Sequence, residues 1–397
     1  MAEFAYIQLG EVSDVTKLAG FEFTKYIKYN ETGEIIALRA LNLRNGELDL
    51  TDVKRIDRTV SDSLLRSKLY KDDILLTYTG NGYGDCAIIE ENDKYHLAPN
   101  ICKIVPNSNK VVPYFLYSYI RTKEFYNTMS NHMTGSGQPT IPMKSIRLLP
   151  IPIPPVEIQE KIAGIAHCIN KKIRENTKIN NNLEQQAQAI FANEFLSLDT
   201  LPDGWKQASL IDIADYLNGL AMQKYRPTTD EIGIPVLKIK ELRQGCCDDN
   251  SELCSPSIKS DYIIHDGDVI FSWSGSLLVD FWCGGICGLN QHLFKVTSSK
   301  YDKWFYYAWT KHHLNRFVAV AADKATTMGH IKRDELAKAE VLIPNENDYN
   351  RIGVLLQPIY EMIISNRIEN KKLAATRDAL LPKLMSGEID MSEVDYE

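Results

Sequence analysis

Two stretches of the chain repeat apolar residues every three or four positions, which is the spacing of one face of an α-helix. In the first stretch the series runs from Ile158 to Ile190, and in the second it starts at Ile352 with a strict seven-residue step. A seven-residue step is typical of a coiled-coil seam. The pattern predicts two long helices that bury their apolar faces against each other. The predicted seam consists of Ile162, Ile169, Asn176, Leu183, Ile190, Ile352, Ile359, Asn366, Leu373 and Leu380.

Two asparagines, Asn176 and Asn366, occupy the same heptad position in this otherwise aliphatic seam. A buried asparagine pair fixes the register of a coiled coil at some cost in stability; alternatively, both side chains lie at a wet edge. The segment between the helices, residues 199–345, is long enough for either helix direction, and a two-fold arrangement of equal halves requires the antiparallel one. Pro382 and Ser386-Gly387 predict a kink or end of the second helix.

The segments before the helices carry short apolar runs typical of strands, separated by Gly, Asn and Asp clusters. The whole pattern occurs twice, since Ile162–Ile190 aligns with Ile352–Leu380 and Leu38–Gly46 aligns with Leu237–Gly245. A repeat of about 190 residues is too long for a solenoid unit, so it predicts two homologous mixed α/β modules, each followed by a long helix. The predicted organisation is a module at 1–155, a helix at 156–198, a module at 199–345, a helix at 346–390 and a tail at 391–397.

Composition narrows the choice of function. The chain of 397 residues has a net charge of −7, and neither module is basic overall, which counts against strong binding to nucleic acid regardless of sequence. A local basic patch remains compatible with specific binding. The apolar stretches are too short to cross a bilayer, and Met1–Ala5 shows no signal peptide. We therefore expect a cytoplasmic protein that does not bind membranes.

The eight cysteines are expected to be free thiols in such a compartment. One group of residues combines thiols with an imidazole, as a zinc site does: Cys246, Cys247, Cys254, Cys283, Cys287 and His292. None of its spacings is the CxxC of structural zinc sites, and adjacent cysteines rarely bind one metal together. We predict no metal site and expect buried apolar thiols instead.

Polar, glycine-rich loops follow the strands at matching places of the two modules. Thr77–Gly84 corresponds to Ser272–Ser276, and Thr134–Ile141 corresponds to Ala325–Lys332. Their hydroxyls, amides and backbone NH groups suit contacts to phosphates and base edges, although turn formation alone explains any single residue. The first loop lacks the Lys-Ser/Thr pair of a phosphate loop, so nucleotide binding is not expected.

Several motifs, in a fixed order, carry a family resemblance. Gly135-Ser136-Gly137-Gln138-Pro139 leads into Pro150–Pro155 and Glu157–Ala163, and the chain closes with Arg377–Ile389. Over nearly its whole length the chain resembles the DNA-specificity (S) subunit of type I restriction–modification enzymes. The resemblance implies that each module is a target-recognition domain for one half of a split site in double-stranded DNA. It also implies that the helices form an antiparallel coiled coil that sets the gap between the half-sites.

The resemblance further implies that the chain is not an enzyme and binds no cofactor itself. Two methyltransferase subunits, which carry S-adenosylmethionine and methylate adenine, are expected to dock on the helices and nearby module surfaces, with or without a translocase-nuclease subunit. The sequence contains neither an adenine-methylation motif nor a Walker loop. In the second copy the proline run is reduced to Val341–Pro344, so the second methyltransferase is expected to dock differently.

The resemblance gives the loop residues candidate roles. Candidate base contacts are the polar and aromatic loop residues Tyr78, Asn81, Tyr83, Ser136, Gln138, Trp273, Ser274, Thr327, His330 and Lys332. Candidate phosphate contacts are the cations Lys25, Lys28, Arg39, Lys224, Arg226 and Lys238. Because the modules differ most in their loops, we predict two unlike half-sites. Two alternatives remain: a coiled-coil adaptor that no longer reads DNA, and the specificity half of another adenine methyltransferase system.

Overall fold

The computed structural model describes residues 4–80, 82–135, 139–323 and 333–391. The chain divides into two compact units, and each contains one module with part of both long helices. Unit 1 comprises residues 1–171 and 374–397, and unit 2 comprises residues 172–373. Unit 1 is therefore completed by a C-terminal segment that lies far from its module in sequence, whereas unit 2 is one continuous stretch of chain.

The module of unit 1 is built from short strands and helices, as its alternating runs predict. Its strands are β1 Ala5–Gln8, β2 Ser13–Lys17, β3 Ile35–Leu38, β4 Leu43–Arg44, β5 Glu47–Leu48, β6 Lys54–Ile56, β7 Ile74–Thr77, β8 Cys86–Ile88, β9 Tyr95–Leu97, β10 Ile101–Pro106 and β11 Pro150–Ile153. Its α-helices are α1 Leu9–Val12, α2 Gly20–Tyr26, α3 Arg58–Ser63, α4 Pro113–Ile120, α5 Lys123–Ser130 and α6 Met143–Arg147, with 3₁₀ turns at Ala40–Asn42 and Leu65–Ser67.

The main sheet of unit 1 is antiparallel, with strand order β2-β10-β7-β8. A second sheet, β6-β3-β9, contains one parallel pair, β3 with β9, and the two-stranded sheets β1-β11 and β4-β5 complete the module. The aromatic helix α4 packs into the core, where Phe115 and Tyr117 are buried. These aromatic side chains therefore belong to the core and not to a base-stacking surface.

The first long helix, α7, runs from Val156 to Phe191 and continues as a π-helical turn at Ala192–Leu196. At about 1.5 Å per residue, its 36 residues span roughly 54 Å. Pro155 directly precedes the helix. Proline is well tolerated there, because the first residues of a helix donate no backbone hydrogen bond within it. The predicted helical period is confirmed.

Unit 2 repeats the design. Its strands are β12 Lys206–Ser209, β13 Asp215–Asn218, β14 Ile234–Leu237, β15 Leu253–Cys254, β16 Ile263–Ile264, β17 Val269–Ser272, β18 Leu278–Phe281, β19 Cys287–Leu289, β20 Leu293–Thr297 and β21 Glu340–Ile343. Its shorter α-helices are α8 Leu210–Ile213, α9 Ile239–Gln244, α10 Lys303–His312, α11 Leu314–Asp323 and α12 Arg333–Ala337, with 3₁₀ turns at Met222–Lys224 and Ser260–Tyr262.

Unit 2 matches unit 1 strand by strand in the main sheet and has one strand more in the second sheet. Its main sheet has the order β13-β20-β17-β18, and a second sheet, β15-β14-β19-β16, again contains one parallel pair, β14 with β19. The aromatic helix α10 is buried, with Trp304 and Phe305 in the core. The mixed α/β repeat expected from the sequence is thus present in both units.

The second long helix, α13, runs from Glu346 to Met385. The prediction that Pro382 ends or kinks it is wrong as to the end, since the helix continues for three residues beyond that proline. The left-handed residue Gly387, at φ +78°, follows directly. This agrees with the predicted Ser386-Gly387 stop, because glycine adopts this conformation without steric cost.

In unit 2 the long helices are antiparallel. Asn176 near the start of this stretch of α7 donates to Glu369 Oε2 at 2.7 Å, whereas Glu194 near its end accepts from Arg351 at 2.8 Å. Of the predicted seam, Asn176, Ile352 and Asn366 are buried in this unit, while Leu183, Ile190 and Ile359 are half-buried and pack against the module core. In unit 1, Ile162 is buried and Leu380 packs against that module's core; Ile169 in unit 1 and Leu373 in unit 2 are half-buried.

The two seam asparagines are both buried, but they do not pair with each other. Asn366 donates through Nδ2 to Asn180 Oδ1 at 2.9 Å, and Asn180 in turn donates to the Ile363 carbonyl at 3.2 Å. Asn176 bonds to Glu369 and to Asn370. The wet-edge alternative is therefore wrong, and the buried-pair alternative holds only with different partners. Three stripe positions, Ile179, Leu355 and Met362, are exposed.

Candidate nucleic-acid interface

Two loops with candidate base-contact residues meet in unit 1. The backbone NH of Gly80 donates to the Pro139 carbonyl at 2.9 Å, and the NH of Ile141 donates to the Tyr78 carbonyl at 2.9 Å. The hydroxyls of Thr79 and Thr140 lie 2.7 Å apart. These bonds join segments about 60 residues apart in sequence into one polar surface beyond the end of β7. Three candidates in these loops, Asn81, Ser136 and Gln138, lie outside the described residues.

Both described aromatic candidates of unit 1 are held in place by neighbours. Tyr83 stacks on Tyr126 of α5, with ring centroids 5.3 Å apart. Gly84, at φ +92°, permits this approach, since a Cβ there would lie 2.7 Å from the Tyr126 ring. Tyr78 lies under the ammonium group of Lys17, 5.3 Å from the ring centroid, and its burial raises the pKa of its hydroxyl. Tyr78 therefore stays protonated and can donate a hydrogen bond.

The corresponding position of unit 2 has the same layout with other side chains. The indole Nε1 of Trp273 donates to Asn218 Oδ1 at 3.0 Å, and Ser274 Oγ lies 3.1 Å from His292 Nδ1. Trp273 and His292 also face each other, with ring centroids 6.4 Å apart. The structure thus brings together the candidates Trp273 and Ser274, while Thr327, His330 and Lys332 lie outside the described residues.

Sequence reasoning missed Lys17 and Asn218. Each ends the first strand of its main sheet, β2 or β13, and each reaches an aromatic residue that directly follows the third strand. The signal that could have found them is the repeat itself. The end of β2 aligns with that of β13, and the end of β7 aligns with that of β17. This alignment predicts that Lys17 and Tyr78, like Asn218 and Trp273, lie on either side of the central strand.

The six candidate phosphate contacts fall into two groups. Lys25, Lys28 and Lys224 are exposed, and Lys25 also lies 5.0 Å from the centroid of the Tyr26 ring. The other three are engaged in ion pairs: Arg39 with Asp52 at 3.3 Å, Arg226 with Glu252 at 2.9 Å, and Lys238, which aligns with Arg39, also with Glu252. Phosphate binding by these three must compete with a carboxylate, so the exposed lysines are the stronger candidates.

The cysteines are all free thiols. Cys254, Cys283 and Cys287 are buried, as predicted, while Cys246 and Cys247 are only partly buried. Burial raises the pKa of Cys283 to about 11, which keeps it protonated at neutral pH. Across the described ranges, no three His, Cys, Asp or Glu side chains come together as a metal site would require.

Comparison with known proteins identifies the class to which this fold belongs. The sequence matches the type I restriction modification DNA specificity domain twice, over residues 1–185 and 202–374. Together these matches cover most of the chain. The chain belongs to the family of type I restriction–modification specificity subunits.

Individual relatives agree over large parts of their length. The MjaIX specificity subunit of Methanocaldococcus jannaschii is 27% identical over 316 residues, which cover 73% of this chain and 72% of that protein. The HindI specificity subunit of Haemophilus influenzae is 21% identical over 98% of this chain and all of its own length. The crystal structure of an S subunit from M. genitalium shares the fold, with a TM-score of 0.58 at 11% identity, covering 98% of this chain and 97% of that one.

No helix in the described part of the chain combines the length and the apolar character needed to cross a bilayer. The long helices α7 and α13 instead carry charged residues throughout, and they pack against the modules.

Proposed function

We propose that this chain is the sequence-reading subunit of a type I restriction–modification complex, and that each module binds one half of an asymmetric bipartite DNA site. One observation carries the proposal. At the same place of the repeat, unit 1 presents Lys17 with Tyr78 and unit 2 presents Asn218 with Trp273. Two homologous modules that recognise different bases require the same framework with different hydrogen-bonding groups.

Proposed partners are two methyltransferase subunits, with or without a translocase-nuclease subunit. We expect S-adenosylmethionine and the methylation chemistry to reside in the methyltransferases, so that this chain contributes binding and orientation only. The duplication supports a partner present in two copies, because a module with adjoining long-helix segments occurs twice.

The long helices are proposed to set the distance between the half-sites. A rigid connection makes the second half-site contact intramolecular, which raises overall affinity without new contacts. One turn of DNA rises roughly 34 Å, so α7, at roughly 54 Å, is about as long as one and a half turns. Insertion of one heptad into both helices is therefore expected to lengthen the unread gap and leave both half-site sequences unchanged.

An adaptor that joins proteins without reading DNA is the second candidate. Its support is the net charge of −7, together with the ion pairs that engage Arg39, Arg226 and Lys238. The two functions differ in salt dependence. A DNA reader loses affinity steeply as salt rises, because phosphate contacts release counterions, whereas an adaptor shows no DNA binding to lose.

The decisive experiment is co-expression of the chain with the methyltransferase of the same system in a host without DNA methylation. Modified adenines are then mapped by long-read sequencing. Two short unlike sequences around a fixed gap are expected. Co-purification of the two proteins without any methylation, while a related methyltransferase is active in the same host, would favour the adaptor.

A further inference from the structure

A cavity occurs at the same place of the repeat in both units. In unit 1 it measures about 490 Å³ and lies where α4 and α5 meet the two long helices; in unit 2 it measures about 380 Å³ and lies where α10 and α11 meet them. Arg121 in the first cavity corresponds to Lys311 in the second at the repeat offset of 190 residues, and both residues line their cavities.

The lining residues that the long helices contribute also correspond. A position on α13 in unit 1 matches a position on α7 in unit 2, and the reverse. Leu381 of α13 lines the first cavity. Phe191 of α7, which lies 190 residues earlier, lines the second. Asn170 of α7 and Tyr360 of α13 show the same exchange. A cavity built from equivalent residues in both halves is a property of the duplicated design and not an accident of packing in one module.

The cation in each cavity is held in the same way. Arg121 donates to the hydroxyl of Tyr117 at 3.2 Å, and Lys311 donates to the hydroxyl of Tyr307 at 2.8 Å. Each cation also lies over the ring of that tyrosine, 5.4 and 5.3 Å from the centroid. The described bonds of both cations go to neutral oxygens, so each keeps its positive charge available for an anionic group.

The rest of the lining differs between the units. In unit 1, Glu124 and Asp378 stand near the cation, whereas the corresponding residues of unit 2 are Leu314 and Gln188. Asp378 is paired with Arg377 at 2.8 Å, and Glu124 accepts hydrogen bonds from tyrosine hydroxyls. The second cavity therefore differs from the first in having no described carboxylate among its lining residues.

We propose that the two cavities are the docking sockets for two copies of the methyltransferase subunit, and that each receives the same segment, an apolar side chain flanked by a carboxylate. The inference rests on the proposed function, and it adds the residues that bind the partner. Arg121 and Lys311 bind the carboxylate, and the walls from the long helices enclose the apolar group. DNA is the poorer occupant, because apolar atoms form most of the surface of both cavities, and charged phosphates lose hydration without gain against such walls.

Identical segments in unlike sockets bind with unequal affinity. The second socket offers aromatic walls, Phe191 and Tyr360, where the first has Leu381 and Asn170. It also lacks the acidic neighbours that oppose an incoming carboxylate. The socket of unit 2 fills first as methyltransferase is added, and the socket of unit 1 fills at higher concentration.

The test is titration of the purified full-length chain with the purified methyltransferase of the same system, followed by native mass spectrometry and light scattering. The wild type is expected to reach two methyltransferases per chain. Arg121→Glu and Lys311→Glu are each expected to weaken one of the two binding steps roughly tenfold or more, as loss of an interfacial charge pair does. Lys311→Glu affects the tighter step, and the double variant loses both.

Matched controls are Lys54→Glu and Lys300→Glu, which place the same charge change on exposed lysines outside the sockets. The conservative variants Arg121→Lys and Lys311→Arg are expected to keep both binding steps, and thermal unfolding shows that each variant is folded. Lys311→Glu serves as the safer of the two, since its described side-chain bond is the one to Tyr307.

The outcomes separate the inference from the function on which it rests. A wild-type chain that methylates a bipartite site, with glutamate variants that still bind two methyltransferases as tightly, overturns the sockets alone. Glutamate variants that keep two methyltransferases but lose DNA affinity assign the cavities to DNA and also overturn the proposal. A wild-type chain that binds no methyltransferase contradicts the proposed function itself.

Discussion

Arg367 on α13 is predicted to be the main electrostatic link between the module and the long helices of unit 2. Its guanidinium bonds to Glu184 of α7 at 2.8 Å and to Asp280 of β18 at 2.7 Å. The three side chains are only 26%, 30% and 26% exposed. Substitution Arg367→Met keeps an unbranched but shorter side chain and leaves two carboxylates facing each other without a cation.

The expected loss follows from this partial burial. Removing one partner of a fully buried ion pair costs about 3–5 kcal/mol, and surface pairs contribute about 0–1 kcal/mol. Since about three quarters of each Arg367 contact is removed from water, we expect Arg367→Met to lower the free energy of unfolding by about 2–3 kcal/mol. For a unit of roughly 200 residues, this corresponds to a fall in melting temperature of about 4–12 °C.

Tryptophan fluorescence during urea unfolding measures this loss selectively, because all five tryptophans of the chain lie within unit 2. Arg351→Met is the matched control. Arg351 also bridges two carboxylates, Glu194 and Asp348, but it is 52% exposed, so its loss is expected to cost about 0.5 kcal/mol. Equal effects of the two substitutions, or a cost below about 1 kcal/mol for Arg367→Met, would refute the argument from burial.

Three further predictions follow from single contacts. Asn180→Ala removes the acceptor of buried Asn366 and is expected to cost about 1–3 kcal/mol in urea unfolding, whereas an unchanged midpoint would contradict a structural role. Burial lowers the pKa of His313; the unfolded chain therefore takes up a proton below about pH 6.5 while the folded one does not, and stability should fall from there towards lower pH. His313→Gln should flatten that decline in a pH series of melting temperatures, and an equally steep curve would assign it to other groups. Asn218→Ala removes the acceptor at Oδ1 to which the Trp273 indole donates and is expected to relax one half of the methylated motif, with the other half as internal control; a change in both halves would show that the modules do not read independently.

The regular elements could be predicted from sequence because their cause is local. A period of three to four residues predicts α7, and short apolar runs typical of strands predict elements such as β7 and β17. Proline is a weaker guide, because α13 continues through both Pro358 and Pro382. A neighbouring packed surface can compensate for the hydrogen bond that proline removes from a helix.

The partners of the seam asparagines could not be predicted, since they depend on the relative shift of two antiparallel helices. The aligned heptad positions suggest that Asn176 meets Asn366, but antiparallel pairing places Asn180 opposite Asn366 and Glu369 opposite Asn176. A shift of one helical turn changes every partner while the apolar stripe stays the same. Stripe periodicity alone therefore cannot determine the register.

Comparison of the two units supplies information that one module alone lacks, because equivalent positions that keep their chemistry mark the framework. Lys103 in the centre of the main sheet of unit 1 lies 3.8 Å from Asp73, and Lys295 at the same place of unit 2 lies 2.9 Å from Asp268. Both lysines are largely buried between strands. Retention of the same pair in both units indicates that it holds the start of β7 and β17 against the central strand.

Equivalent positions that keep their geometry but change their chemistry have the opposite meaning. Lys17 and Asn218 end corresponding strands and touch the aromatic residues Tyr78 and Trp273. A lysine ammonium only donates hydrogen bonds, which suits guanine acceptors, whereas an asparagine amide both donates and accepts, which suits adenine. If these pairs only stabilised the framework, the same pair would suffice in both units. The exchange of Lys17 for Asn218 is therefore better explained by two different half-sites than by packing.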